Sequence, residues 1–249
     1  MAKAPIDPQA AHARAVADAK RLMRLSRTAA LATLDPGSGA PLATLVGVAS
    51  DFDGAPLFLM STLARHTRHL ASDPRASVLL AEEPERGDPL NHPRLTLNGR
   101  MERAADPGAR ARYLQRNPKA KLYADFADFA FFRLAIESVH FNGGFGRADS
   151  LAPADILASR EAEEALAEAE ARLLDWVNAL GDEVLARLAG HGRSSRQVWR
   201  AIGLDAEGLD LAAGGRVARV QFATPARDEA GWRARLEAIA GGGDGRRTG

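Results

Sequence analysis

The succession of apolar runs and turn-rich segments in residues 28–61 constrains the fold more than any other feature. Apolar, strand-like runs at 28–34, 42–49 and 57–61 are separated by the segments DPGSGAP and SDFDGAP, which are rich in turn-forming residues. Such short turns connect antiparallel strands, whereas parallel strands need a crossover of about a dozen residues or more. The first part of the chain is therefore predicted to form an antiparallel sheet.

Three further strand-like runs follow, at 76–81, 94–103 and 129–141. The run 94–103 alternates as a half-buried strand does, and Gly99 within it is predicted to mark a bulge or bend. Helices are predicted at about 8–27 and at 106–122, the second interrupted at Asn117-Pro118. Six strands with hairpins and short helices predict an antiparallel barrel in a chain of the α+β class.

A change in composition at residues 142–153 (NGGFGRADSLAP) predicts a domain boundary. The first domain is placed at 1–150, with its N-terminal helix, and a smaller α+β domain at 151–240. The second domain begins with an Ala/Glu/Leu-rich helical region broken near Gly181, continues with three short strands and closes with a helix at 227–240. The tail 241–249 is rich in glycine and charge and is predicted to be disordered.

Charge and composition narrow the range of partners and compartments. The chain has 33 Lys and Arg against 32 Asp and Glu, so its net charge of +1 does not favour nucleic acid or an anionic membrane as a partner. It has no cysteine, which excludes disulfides, thiolate metal sites and a cysteine nucleophile. No apolar run approaches the roughly 20 residues of a membrane span, and no signal peptide is evident at the start. We expect a soluble, cytoplasmic protein.

One candidate binding site stands out, at the junction of strand and helix in residues 57–74. The helix starts with the basic residues Arg65, His66, Arg68 and His69, although the peptide dipole favours acidic residues there. The hydroxyls of Ser61 and Thr62, the guanidinium of Arg65 and the free N–H groups of a helix start can together hold a phosphate. The alternative is a surface helix with solvated bases, and these residues alone favour neither interpretation.

Other functional patterns are weak. The chain lacks the GxSxG, HExxH and GxxxxGK[ST] motifs, and His66 and His69 have no evident third metal ligand. His140 alternates with apolar neighbours at the end of a strand, where a partly buried, hydrogen-bonded histidine is the default interpretation and a haem ligand is the alternative. No catalytic residue and no metal site is assigned.

Two segments carry a resemblance to a known family: STLARHT with DPR at 61–75, and YADFADFAFFRLAIESVHFNGGFGRA at 123–148. They resemble the FMN-binding split-barrel proteins related to pyridoxamine 5′-phosphate oxidase, and more closely the haem-utilisation (HugZ-type) branch with its C-terminal α+β domain. The resemblance implies a six-stranded antiparallel split β-barrel and a homodimer with the cofactor in the groove between the subunits.

The resemblance also implies roles for individual residues. Arg65 and His66 correspond to the pair that holds the FMN phosphate, and we expect Arg65 and Ser61 to hold it here with His66 assisting. Arg94 corresponds to a cofactor contact on the fifth strand. The second-strand contacts with the flavin ring correspond to residues 44–49, including Thr44, Leu45 and Val46. His66 replaces a lysine of the family and Thr44 an arginine, which predicts weaker phosphate binding. In the second domain, Trp176–Gly181 replaces a segment that contains two histidines.

Three functions follow from this resemblance. The first is flavin-mediated electron transfer from bound FMN to a small-molecule substrate or to haem. The second is haem binding and degradation, with a histidine such as His140 as the iron ligand. The third is a non-catalytic regulator that binds an enzyme of tetrapyrrole synthesis.

Overall fold

The structure is a computed structural model that describes residues 7–82, 87–144, 148–158, 160–191, 197–241 and 247–248. The chain divides into two compact units. The described residues of Met1–Ser50, Gly54–Ala105 and Ala120–Leu157 form the first, and those of Asp51–Asp53, Asp106–Lys119 and Ala158–Gly249 form the second.

The first half of the chain alternates strands with short helices. In chain order the elements are α1 (Pro8–Leu25), β1 (Thr28–Leu34), β2 (Pro41–Gly47), β3 (Ala49–Ser50), β4 (Pro56–Ser61), α2 (Arg65–Ser72), β5 (Arg75–Ala81), β6 (Arg94–Arg103), α3 (Pro107–Arg116), β7 (Phe129–Asn142), β8 (Ala148–Leu151) and α4 (Pro153–Ile156). Short 3-10 turns lie at Pro89–Asn91 and Pro118–Leu122. Helix α3 belongs to the second unit and the turn Pro118–Leu122 is divided between the units, while the other elements named here belong to the first unit.

Eight strands of the first unit form one antiparallel sheet. Its order is β2-β1-β5-β6-β7-β4-β3, and β8 pairs with β7. This curled sheet is the split barrel that the sequence predicts. The six predicted strands are all present; β3 and β8 are short additions, and a break after Gly47 separates β3 from the predicted second strand.

Alternation along the strands separates an apolar inner face from an outer face. The inner face and helix α1 share one core, which contains fully buried side chains such as Leu31, Phe58, Val78 and Leu97. Helix α1 presents one apolar stripe to this core, and the Asp7 side chain caps its start by accepting a hydrogen bond from the Gln9 N–H. The inner face therefore packs into the core, and the outer face is the more exposed of the two.

The predicted bulge at Gly99 is confirmed. The register between β6 and β7 shifts between Asn98 and Gly99. A Cβ atom at residue 99 would lie 2.0 Å from the carbonyl oxygen of Ala135, so only glycine allows the two backbones to approach this closely.

The second unit combines a small sheet with helices. Its further elements are α5 (Arg160–Asn178), α6 (Asp182–Leu188), β9 (Arg200–Asp205), β10 (Gly208–Ala213), β11 (Arg216–Gln221), α7 (Glu229–Ala240) and β12 (Arg247–Thr248). The strand order is β12-β11-β10-β9, with antiparallel pairing. The predicted break of the long helical region falls at Gly181, whose φ of 92° suits glycine and which precedes α6.

Buried ion pairs tie the elements of the second unit together. The Arg219 guanidinium donates to Asp205 Oδ1 at 2.8 Å and to Asp210 Oδ1 at 2.9 Å, and all three side chains are almost fully buried. Arg112 on α3 donates to Glu170 on α5 and, at 3.0 Å, to the Leu204 carbonyl on β9. Arg112 is thus one reason why Asp106–Lys119 groups with the second unit rather than with its neighbours in sequence.

The two compact units therefore differ in extent from the ranges expected from composition. The first unit continues to Leu157, and β8 lies inside the segment 142–153 that predicts the boundary. Arg247–Thr248 of the predicted disordered tail pair with β11, while residues 242–246 and 249 lie outside the described part of the chain.

Candidate functional site

The start of α2 is placed where the sequence predicts it, directly after β4. Ala64 is its N-cap residue and provides no side-chain cap hydrogen bond. The first N–H groups of a helix have no intrahelical acceptor, so they are available to an external oxygen. In the same first turn Thr67 is only 5% exposed, and its hydroxyl has no hydrogen-bond partner among the described residues.

Two histidines attach α2 to the β1–β2 hairpin. His69 Nδ1 is hydrogen-bonded to Thr33 Oγ1 at 3.2 Å, and His66 Nδ1 to Thr44 Oγ1 at 3.2 Å. Both threonines lie on the inner face of the sheet, and His69 is buried. The spacing of three residues places both imidazoles on one face of the helix, so they contact neighbouring strands.

Asp35, at the end of β1, joins the hairpin turn to α2. Its Oδ1 accepts hydrogen bonds from the Gly37 and Ser38 N–H groups and from the Ser38 hydroxyl. Its Oδ2 lies 3.4 Å from Arg65 Nη2 and 3.4 Å from His69 Nε2. The guanidinium predicted to hold an external anion therefore already has an internal carboxylate beside it.

The environment shifts the pKa of two of these groups. Hydrogen bonds from the Ser38 main chain and side chain, then from Gly37 and Arg65, lower the pKa of Asp35 to about 2. Partial burial and, secondarily, repulsion from His69 lower the pKa of His66 below its ordinary value. Asp35 is consequently ionised and His66 neutral at physiological pH.

Ser61 and Thr62 contact the loop that precedes β7. The Ser61 hydroxyl donates to Asp128 Oδ2 at 2.6 Å and accepts from the Leu63 N–H at 3.1 Å. The Thr62 N–H donates to the Asp128 carbonyl at 2.6 Å. The two predicted phosphate ligands thus border a second carboxylate.

The remaining predicted cofactor contacts do not converge with these residues. Leu45 points outward with 77% of its surface exposed, and Val46 is buried in the core. Thr44 belongs to the row Thr44, Leu31, Val78 and Leu97 across four strands. Arg94 lies three residues further along β6, about 10 Å from that row, and its guanidinium donates to the Leu90 carbonyl.

The charges around the start of α2 determine how well these residues fit an FMN phosphate. Arg65 and the helix start favour an anion, but Asp35 and Asp128 each add a negative charge and His66 adds no positive one. A phosphate monoester carries close to two negative charges at neutral pH. The arrangement fits a dianion poorly.

The outer face of the same sheet presents a second candidate site. One row of paired residues crosses six strands: Leu45, Ala30, Leu79, Thr96, His140 and Ser150. His140 is exposed, and its imidazole forms no hydrogen bond or ion pair with the described residues. The default expectation of a partly buried, hydrogen-bonded His140 is therefore wrong, because the side chain lies on the outward-facing position of β7.

The structure also reveals contacts that the sequence does not indicate. Asp35 is recognisable in the sequence only as the first residue of a turn, and Asp128 only as part of an aromatic segment.

Within the described ranges, no three His, Asp or Glu side chains converge to hold a metal ion. No described helix combines the length and the apolar composition needed to cross a membrane.

Comparisons with known proteins agree with the split-barrel architecture. Residues 6–158 match the family model described as CREG, beta-barrel. A crystal structure of a protein of unknown function from Agrobacterium tumefaciens is 37% identical, with a TM-score of 0.80 over 95% of this chain and 99% of that one. A heme-binding protein from Mycobacterium smegmatis is 32% identical, with a TM-score of 0.53 over 95% of this chain and 98% of that one.

A curated relative matches over a shorter range. The chloroplastic non-canonical heme oxygenase HOZ of Arabidopsis thaliana is 35% identical over 113 residues, which are 44% of this chain. The match spans only about a third of that relative, 34% of its length.

Proposed function

Because this chain belongs to the CREG β-barrel family, of the FMN-binding split-barrel type, we propose that it binds haem on the outer face of its eight-stranded sheet. The single observation that carries this proposal is the state of His140. Its imidazole is exposed on the outer sheet face, in a row of residues without charge, and has no hydrogen-bond or ion-pair partner among the described residues.

A comparison of the six histidines supports this choice of iron ligand. His12 lies 3.3 Å from Asp149 and His92 lies 4.0 Å from Glu82. His66 is hydrogen-bonded to Thr44 and His69 to Thr33. The ring of His191 stacks on that of Trp199. Among the described residues, His140 and His191 have no hydrogen bond or ion pair at either ring nitrogen, and of these two only His140 lies on the exposed sheet face of the first unit. Neutral imidazole is a common axial ligand of haem iron.

The surface around His140 suits a flat apolar ring. Leu79, one strand beyond Thr96 in the same row, is 39% exposed, and Leu45 at the end of the row is 77% exposed. The adjacent outer row is Ala43, Ala32, Ser77, Asn98 and Ser138. These eleven positions contain no charged residue, so a porphyrin face can bind there without desolvating a charge.

The same face is our proposed homodimer interface. Interface cores are depleted of charged residues, and the two adjacent charge-free rows of this face, with the exposed Leu45 and Leu79, have this character. A ligand on this face would lie between the two subunits, as the resemblance implies. The two relatives named for haem, at 32% and 35% identity, support haem as that ligand.

Bound haem would supply the iron chemistry with oxygen, in the manner that the name heme oxygenase describes. The chain itself would contribute the imidazole of His140, the apolar contacts of Leu45 and Leu79, and exclusion of water when two faces pair. We propose turnover of haem as the consequence of binding, and assign no general acid or base.

Flavin-mediated electron transfer to a small-molecule substrate is the competing proposal. It draws support from the start of α2, where Arg65 is the first residue of a helix whose N-cap residue, Ala64, provides no side-chain hydrogen bond. Asp35, Asp128 and the neutral His66 argue against the dianionic phosphate of FMN. Haem is therefore our first choice of ligand.

Titration of the full-length protein with haem tests this proposal by its Soret absorption. We expect stoichiometric binding by the wild type and at least tenfold weaker binding by His140→Ala, with a changed Soret position. His12→Ala is the matched control, because His12 is also an exposed histidine of the first unit. We expect it to bind haem as the wild type does.

The alternatives predict different spectra. Flavin absorption in the freshly purified protein would favour the FMN proposal. Absence of both flavin and haem binding would contradict both proposals and favour the regulator, which is then tested by binding to enzymes of tetrapyrrole synthesis. Equal haem affinity of His140→Ala and the wild type would exclude His140 as the ligand.

A further inference from the structure

We infer that a pocket on the outer face of the eight-stranded sheet binds a compact primary amine, and that Glu137 is the residue that pairs with its ammonium group. The pocket spans the adjacent strands β1, β5, β6 and β7 and has a volume of about 280 Å³. Pockets for drug-sized ligands have volumes of about 300–1,000 Å³, so this one suits a smaller molecule. His140 does not line the pocket, and the amine is therefore a ligand other than haem bound at His140.

The β-bulge at Gly99 places Glu137 at this pocket. Asn98 pairs with Ser138 and Gly99 pairs with Ile136, so Glu137 is the extra residue of β7 and has no partner residue on β6. A bulge commonly redirects a side chain next to a binding site. The side chain of Glu137 is exposed and lines the pocket. The bulge therefore adds a carboxylate to this part of the outer face.

Three hydrogen-bond acceptors line the pocket on three neighbouring strands. On β7, the Glu137 carboxylate forms no hydrogen bond or ion pair with a described residue. On β6, Asn98 uses its Nδ2 to donate to Ser138 Oγ at 3.3 Å, and its Oδ1 accepts no hydrogen bond from the described residues. On β5, Ser77 pairs directly with Asn98, and its hydroxyl forms no hydrogen bond within the described ranges. A primary ammonium has three N–H donors, one for each acceptor.

The spacing of the strands allows one ligand to reach all three acceptors. Strands β5 and β7 are separated by β6 and lie about 10 Å apart. The side chains of Ser77 and Glu137 both line the pocket between them, and Asn98 lies in the middle. An ammonium group over Asn98 can therefore contact the neighbouring side chains on either side.

The remaining wall of the pocket selects the body of the ligand. It is formed by small or apolar residues, namely Ala32, Leu34, Pro41 and Ala76, and Gly99 adds no side chain. Burial of a short alkyl group against these residues is favourable. A second charge on the ligand would lie against the same apolar wall without a partner, at a cost in desolvation. The pocket therefore favours a monoamine with a short apolar body over a polyamine.

The neighbouring arginines interact with a different carboxylate. Arg75 lines the pocket, but its Nε and Nη2 donate to Asp73, the latter at 2.6 Å. Arg100 pairs with Arg75 across β5 and β6. Hydrogen bonds from Arg75 and, secondarily, the charge of Arg100 lower the pKa of Asp73 to about 2. Asp73 thus offsets these arginines, whereas Glu137 forms no ion pair with a described Lys or Arg.

The experiment titrates the full-length protein, without haem, with isobutylamine hydrochloride at pH 7 and constant ionic strength. Backbone amide NMR shifts of Ser77, Gly99 and Glu137 report binding, and we expect saturation in the millimolar range. Isobutanol has the shape of the amine without its charge, and tetramethylammonium has the charge without N–H donors. Each should bind at least about fivefold more weakly, because a hydrogen bond between charged groups contributes more than a neutral one.

Glu137→Gln tests the carboxylate while preserving the size of the side chain. The variant should bind isobutylamine at least about fivefold more weakly, because the charged partner of the ammonium is lost. Its affinity for isobutanol should stay within about twofold of the wild type, which shows that the pocket itself is intact. Loss of isobutanol binding together with amine binding would mean that Glu137 maintains the pocket rather than pairs with the ammonium.

Glu102→Gln is the matched control. Glu102 is exposed on β6, four residues beyond Asn98 and therefore about 13 Å along the strand. The substitution changes the net charge equally, but this distance exceeds the Debye length of about 8 Å at physiological ionic strength. We expect the amine affinity to stay within about twofold of the wild type. Equal effects of Glu137→Gln and Glu102→Gln would overturn the role of Glu137.

Three other results would overturn the site itself. They are the absence of saturable shifts with isobutylamine, equal affinity for isobutanol, and equal affinity for tetramethylammonium. Failure of the wild type to bind haem would refute the proposed function alone, since the amine titrations do not depend on haem. Failure to bind the amine would refute this inference alone, since the Soret titration does not depend on the pocket.

Discussion

Thr44 and His66 are hydrogen-bonded at the junction of β2 and α2, with 3.2 Å between Oγ1 and Nδ1. The resemblance implies an arginine and a lysine at these two positions. A neutral pair here holds the helix to the hairpin without adding positive charge, and partial burial favours the neutral imidazole.

The first prediction is a pH dependence of stability that originates at His66. Its pKa is lowered in the folded protein, so the unfolded chain binds the proton more readily. The free energy of unfolding should therefore decrease as pH falls through the ordinary value of 6.5 towards the folded pKa. His66→Gln should show a smaller decrease between pH 8 and 5 in denaturant titrations. Parallel curves for the two proteins would contradict this assignment.

The second prediction concerns the buried ions of the second unit. Arg219→Leu removes the arginine between the buried carboxylates of Asp205 and Asp210 and should reduce stability by about 3–5 kcal/mol. The exposed Arg216 begins the same strand, and Arg216→Leu should change stability by no more than about 0.5 kcal/mol. Chemical denaturation of both variants measures the difference. A loss below 1 kcal/mol for Arg219→Leu would mean that the two carboxylates find other partners.

The third prediction concerns the bulge in β6. Gly99→Ala places a Cβ atom 2.0 Å from the Ala135 carbonyl and should reduce stability by about 2–4 kcal/mol. At Gly37 the nearest atom to a new Cβ is Asp35 Oδ1 at 3.5 Å, an ordinary contact. Gly37→Ala should therefore shift the thermal midpoint much less. Similar midpoints for the two variants would show that the β6–β7 pairing can separate locally at low cost.

The fourth prediction addresses the proposed dimer. Leu45→Arg places a charge on the outer sheet face and should convert a dimer into monomer in sedimentation velocity. Leu122→Arg is the matched control, because it is the same substitution at a leucine of similar exposure, 79% for Leu122 and 77% for Leu45. Leu122 ends a 3-10 turn outside the sheet. Its oligomeric state should match the wild type. A monomeric wild type, or a Leu45→Arg dimer of undiminished affinity, would refute this interface.

The order of strands and turns in the sequence was sufficient to predict an antiparallel barrel, the bulge at Gly99 and the break at Gly181, and the resemblance specified the split-barrel form. These features depend on local chemistry: alternation of apolar residues, turn-forming segments and positions that only glycine tolerates. The short helix predicted after the third strand-like run is also present and begins at Arg65, whereas the anion that its reversed charges indicate stays a prediction.

Only the tertiary structure decided what surrounds those residues. Asp35 is 30 positions from Arg65 and Asp128 is 67 positions from Ser61, and no local pattern indicates that these carboxylates border the predicted anion site. The same applies to Arg112 and Glu170, 58 positions apart, which join α3 to the second unit. Local periodicity determines elements and their faces, whereas electrostatic balance depends on side chains that long-range strand pairing and helix packing bring together.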